Sequence, residues 1–551
     1  MARAVPEPSG LKLSAANLMS ATTSAASTWA PLRLGVFRAL WLAVLVSNVA
    51  TWMQTVGAQW LLVNQPHASI LVALVQTADY LPDMLFGIVG GVLADTLDRR
   101  RLMMAVQAFL FVAGVVLAAL TIFGQMPPAL LLTFTFLIGS GSVLTVPAYQ
   151  ALVPELVPRS QLHSASALSS ISINLARAAG PAIAGVVIAR AGVGAVFALN
   201  AAMYLLFLLV LVAWRPPPAA APKFAEGFVS ALRAGGRYIR YAPVVRRILW
   251  RSALFLVPAS ALWTLLPLVA TQRLALGADG YGLLLGVLGA GAIAGALILP
   301  RIRARFSINA LLAASGIVYA AVLAAVVLIG SPAVILVALL PAGVAWIAVL
   351  STINAELQLF LPTWVRGRGL SVYQMVLFGA QGFGALMWGL IAEPLGIVPT
   401  FLIAAAAMLA GVATTRVWPI YDTAGMDRST VEYWRQPSLA VEADPDDGPV
   451  VVNTVYTVET DKEAAFLRAM ARVRLSRLRT GATNWGLFRD GEAPHQFVEL
   501  YIVPSWEEHL RQHSERLTRT DQEYEQEAES FTTAPQETSH LIAVDLPDDS
   551  D

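Results

Sequence analysis

The stretch GGVLADTLDRRR, Gly90 to Arg101, puts two aspartates and three arginines directly behind the mostly apolar run 69–89. An ordinary soluble helix has no reason to end so abruptly. A helix leaving a bilayer does, because hydrocarbon tolerates almost no charge and the first charged residues mark the water. The composition agrees: of 551 residues, 57% are hydrophobic and 13% charged, against about a quarter charged in a soluble globular domain. A formal net charge of +1 points neither to nucleic acid nor to an acidic partner. The chain has no cysteine, which excludes disulfides and thiolate chemistry.

Apolar runs long enough for a ~30 Å hydrocarbon layer, roughly 20 helical residues, recur along the chain. They fall at about 36–62, 69–94, 102–123, 129–152, 163–189, 194–214, 245–271, 280–299, 308–329, 333–355, 367–391 and 397–418. Twelve such segments predict an all-α polytopic membrane protein. The first begins too late for a cleaved signal peptide, and residues 1–30, rich in Ala and Ser, are expected to form a disordered leader. One set of loops carries sixteen Lys and Arg residues, among them Arg99–Arg101, Arg301, Arg303 and Arg305, while the opposite set carries only Arg190 and Arg273. Positive charge stays inside, so both termini are expected in the cytoplasm and the protein in the cytoplasmic membrane.

A shift of 204 residues lays Gly91 to Arg101 over Gly295 to Arg305, and the same shift lays Ala176, Gly180 and Gly185 over Ala380, Gly384 and Gly389. One register serving two separated motifs predicts two parallel six-helix halves, 31–214 and 245–420, joined by a basic cytoplasmic linker, 215–244. Internal repeats of this kind belong to alternating-access transporters. The glycines read as packing residues that let membrane helices approach closely.

At these residues the chain resembles the major facilitator superfamily, whose loop after helix 2 carries the pattern matched by Gly91, Asp95, Arg99 and Arg100, with departures at Thr96 and Asp98. The resemblance implies that the glycine serves close packing and that Asp95 helps hold the cytoplasmic side closed against helix 11. Phrases such as WMQTVGAQWL (52–61), PAYQALVPELVPR (147–159) and NLARAAGPAIAG (174–185) look like the branch that contains the enterobactin exporter. Gly180, Pro181 and Gly185 resemble the helix 5 packing signature of proton-driven exporters, with Ala176 where that pattern begins with glycine. The helix 4 arginine of many drug exporters has no counterpart in FLIGSGSVLTVPAYQ (136–150).

Charge at bilayer depth costs at least ~2.5–3.5 kcal/mol, so the few ionisable residues inside spans are informative. Asp79 and Asp83 lie a turn apart on one face of helix 2, and Arg177 lies in helix 5. Asp83 sits twelve residues, or about 18 Å, from Asp95 at the membrane edge, which puts it near the midplane. These three are the proton-coupling candidates, the alternative being a permanent structural salt bridge. The resemblance implies a cavity lined by helices 1, 4, 7 and 10. Candidates there are Asn48, Trp52, Gln54, Tyr149, Gln150, Trp263 and Asn354, aromatic and amide groups suited to a bulky, partly polar cargo.

Beyond 420 the chain turns acidic and polar. Residues 421–448 read as a linker. Strands at 450–458, 484–490, 496–503 and 539–546 alternate with helices at 461–479 and 505–517, a βαββαβ order. That order predicts a cytoplasmic α+β ferredoxin-like domain over 449–547, resembling domains of the antibiotic-biosynthesis monooxygenase type and a candidate for dimerisation. His509 and His513 have a ligand spacing, but the sequence offers no third ligand nearby. They therefore read as a solvated or packed helix face, and no metal or cofactor is expected.

The expected function is secondary transport: proton-coupled export of siderophore-like or other amphipathic small organic molecules by alternating access, with the bilayer, protons and cargo as partners and no nucleic acid. Multidrug efflux is a second transport reading. A membrane-tethered enzyme acting through the C-terminal domain is a third. No GxxxxGK[ST] loop occurs, which disfavours ATP-driven transport.

Overall fold

The computed structural model describes residues 29–214, 228–421, 423, 426–434 and 439–544. The membrane part begins with α1 (Gly35–Leu62), α2 (Ala68–Thr96), α3 (Arg99–Ile122), α4 (Pro128–Leu156) and α5 (Leu162–Ala213). A helix α6 (Phe228–Tyr241) lies in the linker. The second half holds α7 (Pro243–Leu268), α8 (Ala278–Arg303), α9 (Ile308–Leu328), α10 (Pro332–Phe360), α11 (Thr363–Leu395) and α12 (Ile397–Ala413).

Among the described residues, eleven helices are long and apolar enough to cross a membrane. The expectation of twelve segments is met because α5 holds two, separated at Gly192, whose φ of 79° only glycine adopts without strain. The counterpart between α11 and α12 is Gly396, at φ 81° and the same ψ of 172°. The two glycines are themselves separated by the 204-residue repeat offset, so the repeat is written in backbone geometry as well as in sequence.

Local chemistry sets the helix ends. Pro128, Pro243 and Pro332 stand in the first turn, where a missing N–H removes no helical bond. Asp98 caps α3, its side chain accepting a hydrogen bond from the Arg101 amide at 2.8 Å. This departure from the superfamily pattern thus has a structural use.

The halves meet where α5 lies on α8 and α2 on α11. Across this interface a β-carbon built on Gly389 of α11 would lie 2.3 Å from Ala73 Cβ of α2, and within the first half one on Gly180 of α5 would lie 2.6 Å from Trp52 Cβ of α1. No larger residue fits there without helix movement. Tyr281 of α8 donates a 2.6 Å hydrogen bond to Gln59 of α1, which in turn donates to Gln76 of α2 at 2.9 Å. His67 and Glu393 pair at 2.6 Å at the same end of the bundle.

The C-terminal part is a four-stranded antiparallel sheet, β1 (Val450–Thr457), β2 (Asn484–Arg489), β3 (Gln496–Val503) and β4 (Glu537–Ile542), in the order β2-β3-β1-β4. Helix α13 (Glu463–Thr480) packs Phe466, Met470 and Val473 against Tyr456 and Phe497 of the sheet. The expected helix 505–517 is broken into α14 (Trp506–Arg511) and a π turn, Gln512–Arg516. A further helix, α15 (Arg519–Glu529), follows, opened by a Thr518/Asp521 capping box. Its sequence is almost wholly polar and gives no apolar stripe.

The segment expected as a linker is partly structured. Val431 N donates to Leu517 O at 3.0 Å, Arg519 N to Ser429 O at 3.0 Å, and the Trp434 indole to Glu525 at 2.6 Å. The domain also rests on the membrane part. Arg237 of α6 meets Glu508 at 3.3 Å, and the Arg516 guanidinium lies 5.0 Å from the Trp364 ring of α11.

Candidate functional site

Between the halves lies a cavity of about 390 Å³. Asn48 and Trp52 of α1, Tyr149 and Gln150 of α4, and Trp263 of α7 all line it, so five of the seven cavity candidates are brought together. Two are not. Gln54 is buried and turned within its own half, where it accepts a hydrogen bond from Asn200 of α5. Asn354 stands nearer the arginine-rich end, held by Gln358 at 2.9 Å, and is absent from the wall. In both, position along the helix suggested depth but not direction.

One side of the cavity is aromatic. Trp52 and Trp263 have ring centroids 5.8 Å apart, and Trp263 and Trp346 5.3 Å. Tyr80 and Phe378, one from each half, pack at 5.7 Å and both line the same space. Spans of both halves thus supply rings to the same space.

Arg177 also lines this cavity, its guanidinium 5.6 Å from the Trp52 ring. Its Nε is buried without a hydrogen-bond partner, and among the described residues no carboxylate pairs with it. The permanent salt bridge to Asp79 or Asp83 that the sequence allowed is therefore not formed: the arginine faces an aromatic ring across the cavity wall. The indole N–H of Trp346, on the same wall, is likewise buried and unpartnered. An unpaired cation and a free donor beside apolar rings suit an anionic or oxygen-rich aromatic guest.

Asp79 accepts a 3.3 Å hydrogen bond from Thr55 of α1. Asp83 lies a turn further on, and Pro82 between them removes one helical N–H, freeing the carbonyl of Ala78. Gly139 of α4 comes close at this point: a β-carbon on it would lie 3.1 Å from Pro82 Cγ and 3.2 Å from Asp79 O. The two carboxylates thus flank a proline within α2, next to Tyr80 on the cavity wall.

In the loop motif, Arg99 forms an ion pair with Glu155 of α4, and Arg100 donates to the carbonyls of Leu211 and Val212 at 3.0 and 3.1 Å. These bonds tie α3, α4 and the end of α5 within one half. The surroundings of Gly91 and of the Asp95 side chain lie outside what is described. In the helix 5 motif, Gly185 and the Pro181 carbonyl press against Gly282 of α8.

Sequence reasoning missed Tyr80, Tyr281 and Gln76 as contacts between helices, because a tyrosine or glutamine in an apolar run carries no signal of its partner. It also missed His540. The strand β4 that carries it is joined to the rest of its sheet only by long-range pairing with β1.

The family described as transmembrane secretion effector, within the major facilitators, matches residues 26–547, the small sheet included. The chain is 24% identical over 356 residues to the staphyloferrin A transporter of Staphylococcus aureus, covering 64% of this chain and 89% of that one. It is 30% identical over 266 residues to the enterobactin exporter of Shigella boydii, covering 47% of this chain and 62% of that protein's length. Among solved structures, the nucleoside transporter NupG superposes with a TM-score of 0.56 at 11% identity, over 70% of this chain and 100% of that one. A bacterial homologue of the lysosomal transporter Spinster, inward-facing and unoccupied, gives 0.55 at 16% identity, over 69% and 94%. These structural likenesses concern the fold.

Proposed function

The chain belongs to the transmembrane secretion effector family of major facilitator transporters, and on that premise we propose that it is a proton-coupled exporter of anionic, aromatic or oxygen-rich small molecules of the siderophore kind. The observation that carries this reading is Arg177, a cation without a carboxylate partner on the wall of a cavity lined by Trp52, Trp263 and Trp346. A catecholate or hydroxycarboxylate guest would satisfy the guanidinium and the Trp346 indole with its oxygens and stack its rings on the tryptophans. The names of the relatives, a staphyloferrin A transporter and an enterobactin exporter, fit the same chemistry.

In this reading the arginine-rich loops face the cytoplasm and both termini lie there. The Gln59–Tyr281 bond, the Gly185–Gly282 contact and the His67–Glu393 pair then close the outer end. Cargo enters from the inside, beside Arg177. Asp79 and Asp83 take a proton from outside in the alternate state and return it inside, and that exchange drives the cycle. The strand order β2-β3-β1-β4 supports reading the C-terminal sheet as a ferredoxin-like unit, with α15 added before the last strand, and its contacts through Arg237 and Trp364 suit a regulatory or dimerising role.

Quenching of tryptophan fluorescence in the purified chain tests the cargo class. A catecholate should bind, its methylated neutral analogue should bind more weakly, and Arg177→Gln should weaken the catecholate by about 10- to 100-fold, since a hydrogen bond to a charged group contributes about 1.5–3 kcal/mol. Tighter binding of cationic amphiphiles than of catecholates would favour multidrug efflux instead.

A further inference from the structure

The C-terminal domain holds half of the chain's six histidines in one place. His509 lies on α14 and His513 one turn later in the π turn, so both rings leave the same face. A π turn is an uncommon insertion that recurs at functional sites. The third ring comes from elsewhere in the sequence: His540 sits on the edge strand β4, in register with Val452 of β1. Folding brings the His509 and His540 ring centroids to 4.9 Å, and those of His509 and His513 to 4.6 Å.

One ring nitrogen from each histidine lies within 4.8 Å of the others, and the Nε2 atoms of His509 and His513 are 3.1 Å apart. Nitrogens bound to one tetrahedral ion at ~2.05 Å stand about 3.3 Å apart. Two of the three ligand atoms thus already have the spacing of a coordination sphere, and the third, on a half-exposed edge strand, has only a short approach to make. His509 and His513 are buried, and His540 Nε2 is buried with no hydrogen-bond partner. The Nε2 atoms of His509 and His513 hydrogen-bond each other, but a cluster packed for stability alone would also satisfy His540 Nε2 and the Nδ1 atoms of His509 and His513, which have no partner. Trp434 and Trp506 wall the cluster, with ring centroids 4.5 Å from His513 and 5.4 Å from His509.

We propose that His509, His513 and His540 form a binding site for a divalent transition ion of the zinc class, three imidazoles leaving a fourth position for water or an exogenous ligand. Neutral imidazoles select zinc, cobalt, nickel or copper over magnesium or calcium, which prefer oxygen. Imidazole is mostly neutral at pH 7, so each ring has a lone pair to offer an ion. Arg477, the core cation whose charge reaches His509 and His513, is itself bound by Glu499 and Glu525. The same short helix carries Glu508, which meets Arg237 of α6, and the π turn carries Arg516, which lies on Trp364 of α11. An ion that fixes His509 and His513 therefore fixes the segment through which the domain rests on the transporter.

The test uses the full chain, purified in detergent without a polyhistidine tag, and titrated with Co²⁺ alone, whose visible absorption reports coordination number. The expected result is one equivalent bound with the intense bands of a four-coordinate nitrogen site, displaced by Zn²⁺. With no cysteine in the chain, thiolate cannot mimic it. His540→Ala should weaken binding by about 100-fold or more, exceeding the loss of an outer-shell partner, while circular dichroism and melting stay near wild type because His540 is on an edge strand. His513→Gln gives an independent second variant. His67, His163 and His495, replaced together, should leave binding unchanged. Weak octahedral binding by the wild type, or full-affinity binding by both His540→Ala and His513→Gln, overturns the proposal.

Discussion

Gly185 and Gly282 meet backbone to backbone across the interface between halves: a β-carbon built on the first would lie 3.0 Å from the Cα of the second, and one on the second 2.9 Å from the Cα of the first. The contact lies at the end where Tyr281 bonds Gln59. Two helices of different halves can approach so far only because both residues lack side chains.

Gly185→Leu should therefore loosen this end. Overpacking of about 1–3 kcal/mol shifts the closed-to-open ratio roughly 5- to 150-fold. The native chain has no cysteine, so a reporter pair can be placed freely. A β-carbon on Gly286 would lie 3.3 Å from Ala182 Cβ, which suits a disulfide between Ala182→Cys and Gly286→Cys. The pair should cross-link readily by itself and poorly when Gly185→Leu is added. Equal cross-linking would mean that the glycine contact does not govern closure.

Asp83→Asn should abolish accumulation of cargo against a gradient while leaving cargo binding and downhill exchange measurable, because the carboxylate is next to the cavity wall and not in it. Asp79→Asn should be milder, since Asp79 is held by Thr55. Accumulation to the wild-type level in Asp83→Asn vesicles would move proton coupling to another residue.

A C-terminal fragment should fold only if its boundary respects the structured linker. Residues 426–434 contribute the Trp434–Glu525 and Val431–Leu517 bonds. A fragment 426–544 is expected to melt cooperatively, and 449–547 at a lower temperature or without cooperativity. Identical melts would mean that the linker contacts add nothing to stability.

Within that fragment, Asp521 both caps α15 and pairs with Arg479, each of them buried. Burial works against its charge, but Arg479 and the Thr518 hydroxyl outweigh it and hold the carboxyl below its ordinary 3.8. The stability from this depressed value is present above pH ~4 and is lost as pH falls through the folded-state value. Asp521→Asn leaves Arg479 buried and unpaired, which costs about 3–5 kcal/mol, so its Tm at pH 7 should drop by at least about 10 °C. The gap to wild type should narrow below pH ~4. A constant gap down to pH 2 would contradict the electrostatic account.

Much of the membrane part was legible because its signals are local or repeated. Apolar length marks spans, arginines mark loops, and the 204-residue offset that pairs Gly180 with Gly384 also pairs Gly192 with Gly396 in conformation. What a side chain faces was not legible. Arg177 could be given a depth but not Trp52 as its neighbour, and Gln54 reads as cavity until Asn200 is seen to hold it. Helix α15 was hidden because its buried face is Thr520, Asp521 and Glu525, polar residues satisfied by partners distant in sequence. His540 was hidden for the same reason: the pairing of β4 with β1 brings together residues almost ninety positions apart.

The central claim, that a proton gradient drives an anionic cargo past Arg177, is tested most directly in everted membrane vesicles given an imposed interior-acid gradient and supplied with a labelled catecholate siderophore. Wild-type vesicles should accumulate the label, release it on addition of a protonophore, and lose at least about nine-tenths of that accumulation in Arg177→Gln. Accumulation that ignores the proton gradient, or that survives undiminished in Arg177→Gln, would contradict it.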